Sequence, residues 1–561
     1  MKRIYALMAL ACASALLMNC TDNQEDNNAT ENNSTMTCTA APACAPGFMQ
    51  VDACPSQEDC EEVTACAQTI YCVADTATCT AVPVCAQNET EVDACPEGST
   101  CREVSECEQT ITCAEMPPEP MGCTDEEVWV NACETWDTSC RAYEGPGTPG
   151  FCKPFTPPAY PIDACDYEVS PGDGSDAATT NLLTAFIEAE AGELICLKNG
   201  YYEVKEQLPL AAGVEVRGET MEGVILDFAN QVTGANGILA QPGPGESVVF
   251  TQLTVKNTSG DGIRVEKADG VTFRHVTATW DGGPDKENGA YGLYPVQSTN
   301  VLIESCKAYN AADAGIYVGQ STNIIVRDSE AAYNVAGVEI ENSSTADVYN
   351  NDIHDNTGGL LVFNLPNLDI KGGSATKVHD NAIVNNNTKN FAPEGNIVAL
   401  VPTGTGIMVL AADDAEIHDN TVKDNQSVGI GIFSYQSTQR EDYKEDDQYD
   451  PYSERNYIHD NVLGNNGYDT ARGSVADFIR LLSQLEVLED LLWDGFVNAE
   501  LTVEARKNCW KNNTYEDGSA AAWRNFWAPG LPNDISQQTT ELGEFDCEGT
   551  TLPAVTLPDA E

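Results

Sequence analysis

A tetrad of glycine, apolar, variable and apolar residues recurs through the middle of the chain at 262–265, 315–318, 337–340, 359–362, 406–409 and 429–432, with 292–296 a longer variant. Its variable position alternates away from the apolar side and reads Arg264, Tyr294, Tyr317, Glu339, Leu361, Met408 and Gly431. Two tyrosines in register offer flat apolar faces whose hydroxyl tips suit sugar rings, Arg264 can clamp a carboxylate, and Glu339 can serve as acid or base. The plainer reading is an ordinary strand surface, because tyrosine favours sheets.

Three other groups carry reactive side chains. The acidic stretch 441–450 includes Asp446, Asp447 and Asp450, oxygen donors suited to calcium, although the run matches no spaced calcium loop and is also what a solvated surface looks like. Tyr435 and Tyr449, in the same stretch of chain, add aromatic ligand contacts. His-Asp-Asn recurs at His379, His418 and His459, and a motif repeated across coils suits a turn better than a unique catalyst or a metal ligand. Asp413-Asp414 is the one adjacent acidic pair with a catalytic look, but neighbours on a strand face opposite sides.

Tetrads follow one another at 22 to 23 residues wherever no extra segment intervenes, and between them runs a second pattern ending in Asn. Short alternating strands at that period mean one solenoid coil per repeat. Aligning the coils puts Val276, Cys306, Ser329, Asn351, Asn381, Asn420 and Asn461 in one column. That column resembles the inward asparagine ladder of right-handed parallel β-helices, and residues 210–470 are similar to the pectate-lyase-like superfamily, especially its exported members that carry stretches like 390–396 and 449–452. The resemblance implies an all-β, right-handed parallel β-helix of nine or ten coils, a rod about 45 Å long at about 4.8 Å per coil. It also implies a substrate groove across one sheet. Extra segments at 281–289, 387–405, 364–376 and 434–455 all border the tetrad strand and mark that sheet as the candidate. The chain departs from the better-known enzymes of that superfamily: it has no Gly-His-Gly of polygalacturonases, no Asp-Pro-His-Asp of alginate epimerases and no arginine-centred motif of pectate lyases.

A solenoid must cover its ends. Residues 161–209 are expected to form an N-terminal cap with an amphipathic helix at 179–191, and 471–561 a helical, Trp-rich C-terminal cap with a helix at 475–492 and a Cys509–Cys547 staple. Cys165 has two readings, a partner for Cys196 or an echo of the small modules described next, and Cys306 reads as a buried free thiol.

Lys2-Arg3 followed by an apolar run to Met18 has the layout of an export signal over residues 1–19. Leu17-Met18-Asn19-Cys20 resembles a bacterial lipobox, which implies a lipid anchor on Cys20 and an outer-membrane or cell-surface address, with plain secretion the other reading. Residues 20–37 form a polar, acidic tether. Six cysteines from Cys38 to Cys72 recur from Cys79 to Cys113 at an offset of 41, giving modules at 38–78 and 79–119, with a degenerate third at 120–160. In an exported chain such small, core-poor modules call for disulfides; zinc is disfavoured because they lack close Cys pairs and histidine.

The net charge of −60 excludes nucleic-acid binding and disfavours a polyuronate ligand unless calcium bridges it. The sequence therefore points to a monomeric surface lipoprotein whose β-helix binds a polysaccharide. The alternatives are a polysaccharide lyase, hydrolase or epimerase using Glu339 and Arg264, and a structural or adhesive rod.

Overall fold

The structure, a computed structural model, describes nine short strands between residues 48 and 154, then residues 165–171 and 176–558. The export signal, Cys20, the tether and the cysteine pairing of the small modules lie outside the described residues. The chain divides into two compact units, residues 1–117 and 118–561.

In the first unit, Phe48–Val51, Cys60–Ala65 and Gln68–Ala74 form a three-stranded antiparallel sheet with the last strand in the middle. Glu89–Val92, Cys101–Glu106 and Gln109–Glu115 repeat it. The register repeats too: Val51 opposes Tyr71 in one sheet and Val92 opposes Thr112 in the other. In the second unit, Glu127–Val130, Arg141–Ala142 and Phe151–Pro154 make a third sheet of the same order.

The remainder of the second unit is a stack of parallel strands. The tetrads form one sheet of eleven strands, from Glu206–Leu210 to Trp523–Asn525, each paired with the equivalent strand one coil away. The intervening segments form the other walls, a continuous 21-stranded array. Inward residues align coil on coil, as in Ile316, Val338, Leu360, Ile407 and Ile430, and all are fully buried in one core. This is a right-handed parallel β-helix.

The glycine of each tetrad is a packing requirement. A Cβ on Gly359 would sit 2.7 Å from the carbonyl oxygen of Gly406 and 2.7 Å from Cγ2 of Ile383, with the Asn386 amide 2.9 Å away. Gly359→Ala should cost roughly 2 kcal/mol or more, read as a lower urea midpoint, because neither backbone nor ladder can yield; a change below about 0.5 kcal/mol would contradict this packing.

Each coil bends at residues with left-handed backbone, among them Asp380, Asp419 and Asp460, the middle members of the His-Asp-Asn triplets. Asp and Asn tolerate that conformation best after glycine. The asparagine that follows then points inward. Asn351, Asn381, Asn420 and Asn461 stack, each side-chain amide donating to the Oδ1 of the next at 2.9, 3.0 and 3.0 Å, and Asn461 passes the pattern to Asn513 at 2.8 Å. A second ladder runs through Asn334, Asn356, Asn386, Asn425 and Asn466 and ends on Asp490. Cys306 sits at the quiet end of the first ladder as a buried free thiol.

The ends differ from expectation. The N-terminal helix, α1, spans Asp176–Glu188, and its Leu182 and Phe186 join the core beside Leu208. Cys165 pairs with Cys196. At the other end the solenoid does not stop at 470: Leu491–Trp493 and Trp523–Asn525 extend the tetrad sheet, while Cys509–Lys511 and Thr514–Tyr515 extend the others. Eleven coils therefore replace nine or ten, a rod of about 48 Å. Their apolar residues are Leu, Trp and Cys without the tetrad's glycine, so the repeat was not visible. Trp493, Trp510, Trp523 and Phe545 then close the core, and Cys509–Cys547 ties down the chain beyond it. The expected helix at 475–492 is only α2, Val475–Leu482, and it caps nothing: its Ala476 and Ile479 pack on the outside of the tetrad sheet. Finally, the C-terminal segment doubles back along the neighbouring wall, with Leu552 N donating to Glu416, Val555 N donating to Asp347, and Leu557 seated on Leu302 and Ile325.

Candidate functional site

The outward column aligns as the sequence reading placed it: Arg264 beside Tyr294, Tyr317 beside Glu339, then Leu361, Met408 and Gly431. Its two halves have different fates. Beyond Glu339 the face is roofed. Leu361 is 0% exposed, and together with Phe363, Met408, Leu410 and Phe433 it is covered by Val398 and Val401 of one insert, Tyr435 and Tyr449 of another, and α2. What remains there is an apolar cleft of about 50 Å³ lined by Phe363, Ile397, Met408, Val428, Phe433 and Ile479. The expected groove along the whole sheet is thus closed over this half. The hydrophobic effect is the cause, since an outward column that turns from Arg, Tyr, Tyr and Glu to Leu and Met exposes apolar surface that the inserts bury.

Tyr435 and Tyr449 belong to that roof and not to a ligand surface. Both are buried; the Tyr435 hydroxyl donates to Asp442 at 3.0 Å and the Tyr449 hydroxyl to the Asn364 carbonyl at 2.7 Å. Such burial with satisfied hydroxyls leaves no face for a sugar.

The other half stays open. Tyr291, Tyr294 and Tyr317 form a compact cluster with ring centroids 4.5, 4.5 and 4.8 Å apart. The Arg264 guanidinium lies 4.7 Å from the centre of the Tyr294 ring and is held by Asp261 at 3.2 Å and Glu266 at 2.7 Å. Arg264, Tyr291 and Tyr294 are half-buried, so this edge meets solvent. Behind it lie Asp313, Glu339 and Glu341. The Tyr317 hydroxyl donates to Glu341 at 2.6 Å, and Asn396 of the 387–405 insert donates to Asp313 at 3.0 Å. Glu339 is 1% exposed and neither of its carboxylate oxygens has a hydrogen-bond partner.

Burial and mutual repulsion keep these acids protonated far above the usual carboxylate range. Asp313 is pushed up to about 8 by burial and by Glu341. Glu341 rises to about 7 through burial, despite the Tyr317 bond that pulls the other way. Glu339 is driven well up by burial and by both neighbours. The two residues expected to act together do not meet: Arg264 and Glu339 stand three coils apart, about 14 Å along the stack. Glu339 sees other acids, and Arg264 sees Asp261 and Glu266.

Sequence reading missed Tyr291, Asp313 and the second outward column that contains Glu266 and Glu341. The signal was available for the glutamates, which lie two places after Arg264 and Glu339 and therefore on the same face.

The histidines sit on another wall. His379, His418 and His459 stack at 5.0 Å between successive rings, beneath Tyr349. The Nδ1 of each meets the aspartate of its own triplet, at 2.7, 2.7 and 2.6 Å. Burial lowers the His379 pKa, but Asp347 and Asp380 outweigh it and hold the ring up to about 9. This geometry fastens turns.

The three acids expected to bind calcium separate. Asp446 is engaged by Lys371 at 2.6 Å and by the Asn367 N–H at 2.9 Å, and Asp447 points to solvent. Only Asp450 joins a convergent group, with Asp413 and Glu454. Asp413 and Asp414 are bound by Arg455, at 3.0 and 2.8 Å.

Among the described residues no helix is long and apolar enough to cross a membrane. A family model described as a right-handed beta helix region matches residues 213–372. Among curated proteins no relative matches the chain. Similar solved structures include the A-module of an Azotobacter vinelandii mannuronan C-5 epimerase, 16% identical over 64% of this chain and 95% of that one, with a TM-score of 0.37. The Dettilon tailspike protein is 10% identical over 64% and 68%, with a TM-score of 0.37. The pectate lyase Pel9A is 15% identical over 70% and 89%, with a TM-score of 0.34.

Proposed function

We infer that the chain is an exported, lipid-anchored surface protein, monomeric, whose β-helix binds carbohydrate at the Arg264, Tyr291 and Tyr294 edge. The observation that carries this reading is the contrast within one sheet: inserts and α2 roof the apolar half, while at the open half Tyr291, Tyr294 and Arg264 meet solvent and the expected ligand residue Tyr317 is buried beneath them, its hydroxyl taken by Glu341. Aromatic faces edged by hydroxyls, carboxyls and a guanidinium match a ring that is apolar on its faces and polar at its rim. The lipid anchor rests on the lipobox-like residues around Cys20.

One observation favours a second reading, a polysaccharide-active enzyme. Carboxyls that hold a proton near neutrality are what a general acid needs, and Asp313, Glu339 and Glu341 are such groups, one tyrosine layer behind the open edge.

Proton NMR of a panel of neutral and uronic polysaccharides, with the purified protein and with calcium or chelator, separates these readings. Binding is expected as broadened glycan resonances, with affinity weakened about three- to tenfold in Tyr294→Ala, a stacking face being worth roughly 0.5–1.5 kcal/mol. New reducing-end, unsaturated or epimerised signals would replace the binder with the enzyme. A panel silent for the native chain would reject both and leave the structural rod.

A further inference from the structure

We propose that Asp413, Asp450 and Glu454 hold one divalent cation of the calcium class, where the 434–455 insert returns to the solenoid. One carboxylate oxygen from each of these residues lies within 4.8 Å of the other two. Two oxygens on the same calcium ion stand at most about 5 Å apart, twice the calcium–oxygen distance of about 2.5 Å, so the three already fit around one centre.

The backbone builds this convergence. Asp413 follows the strand Thr405–Leu410 by three residues, and its Oδ1 accepts the N–H of Glu454 at 2.9 Å. The insert that carries Asp450 and Glu454 is pinned between them, by the Tyr435 N–H to the Pro451 carbonyl at 2.7 Å and by the Ser453 hydroxyl to the Phe433 carbonyl at 2.7 Å.

Glu454 gives the independent reason to expect a ligand. It is 1% exposed, and its Oε1 has no hydrogen-bond partner. A buried carboxylate oxygen left unpaired costs several kcal/mol of lost hydration, roughly what a cation would restore. The nearby cation in the chain does not do so. Arg455 reaches Asp413 at 3.0 Å and Asp414 at 2.8 Å but only grazes Glu454 Oε2, at 3.4 Å, so one guanidinium is shared among three carboxylates.

Donor chemistry selects the ion. The three side chains offer only oxygen, with no thiolate or imidazole, which favours a hard cation over soft or zinc-type ions. Asp450 is exposed and leaves a path from solvent and room for water ligands, an open and uneven cage that suits calcium better than the strict octahedron of magnesium. Bound there, the ion would tie the insert, and with it the roof over the tetrad sheet, to the end of a core strand.

The test is calcium titration calorimetry on the chelator-treated, purified protein in about 0.15 M salt, which screens loose binding to the acidic surface. One saturable site per chain is expected, with an affinity weakened at least tenfold in Asp450→Asn and in Glu454→Gln, and unchanged in Asp447→Asn. The two affected variants cover the folding risk, since Asp450 lies at the surface while Glu454 is buried. Absence of a one-to-one site in the native protein, the same affinity in Asp450→Asn, or equal competition by magnesium would each overturn the assignment.

Discussion

Raising the pH from 5 to 8 is expected to lower the stability of the folded chain by on the order of a few kcal/mol, read as a fall in urea midpoint, opposite to the course of a protein held by paired carboxylates. The cause is the acid cluster behind the tyrosines. Asp313 titrates near 8 and Glu341 near 7 in the folded chain, against ordinary values of 3.8 and 4.5, and Glu339 is also raised. A carboxyl whose folded pKa is raised contributes stability that is fully present below its unfolded value, near 4, and is lost as the pH climbs through the folded value. At about 1.4 kcal/mol per pH unit the Asp313 shift alone has a ceiling of about 6 kcal/mol, which relaxation and water entry reduce.

His354 adds to the same trend at higher pH. Burial lowers its pKa, but Asp355, Glu330 and Asp352 raise it to about 10, so its contribution is present below about 6.5 and is lost toward 10. Glu304 works in the opposite direction at the acid end: burial would raise it, but Arg327 and Arg274 hold it low, and that support disappears only as the pH falls below about 4.5. Maximum stability is therefore expected near pH 5. Glu339→Gln, which removes one of the three competing acids, should flatten the slope and raise the midpoint at pH 8. A midpoint that stays constant or rises from pH 5 to 8 in the native protein would show that these carboxyls are not protonated in the folded state.

Asn420→Ala should cost about 3–5 kcal/mol, more than any surface change in the molecule. The side chain is 0% exposed. Its amide nitrogen donates to the carbonyls of Val378 and His418 at 2.9 Å each and to Asn461 Oδ1 at 3.0 Å, while its own oxygen accepts both the backbone N–H and the amide of Asn381, at 3.1 and 3.0 Å. Alanine removes all five bonds and strands groups that water cannot reach. Because each coil touches only its neighbours, the break should also split the unfolding transition, with the two ends of the solenoid melting separately. Denaturation followed by tryptophan fluorescence, weighted toward the C-terminal coils that hold four of the seven tryptophans, and by circular dichroism, which reports all coils, should then give different midpoints. Coincident curves and a loss below about 1 kcal/mol would mean that the ladder is passive filler.

The pattern of the tetrads was enough to place each outward residue in its column, because a period of two residues and a fixed coil length leave no freedom of register. The ladder of Asn351, Asn381, Asn420 and Asn461 was equally legible, since a buried amide recurring in every coil has few uses other than to bond its own copies. The second ladder is the Asn that ends the intervening pattern, legible as a repeat, while its inward direction came only from the structure. The last two coils lack the marker: in register with the tetrad glycine stand Asp490 and Ala522, and tryptophan takes apolar positions, Trp493 opposite Ile432 and Trp523 opposite Leu491.

Sequence by itself thus determined the architecture, the modular cysteine spacing and the composition of the sheet face. Tertiary structure decided which part of that face is available. Folding of inserts 387–405 and 434–455 and of helix α2 over Leu361, Met408 and their neighbours removed half of the expected groove and placed Tyr435 and Tyr449 in the roof. It also separated Asp446 and Asp447 from Asp450, and joined the last to Asp413 and Glu454. Residues far apart in the chain are brought together by where long connections come to rest. That is set by the apolar area they can bury and not by any local period, so composition names the candidate groups and packing alone chooses among them.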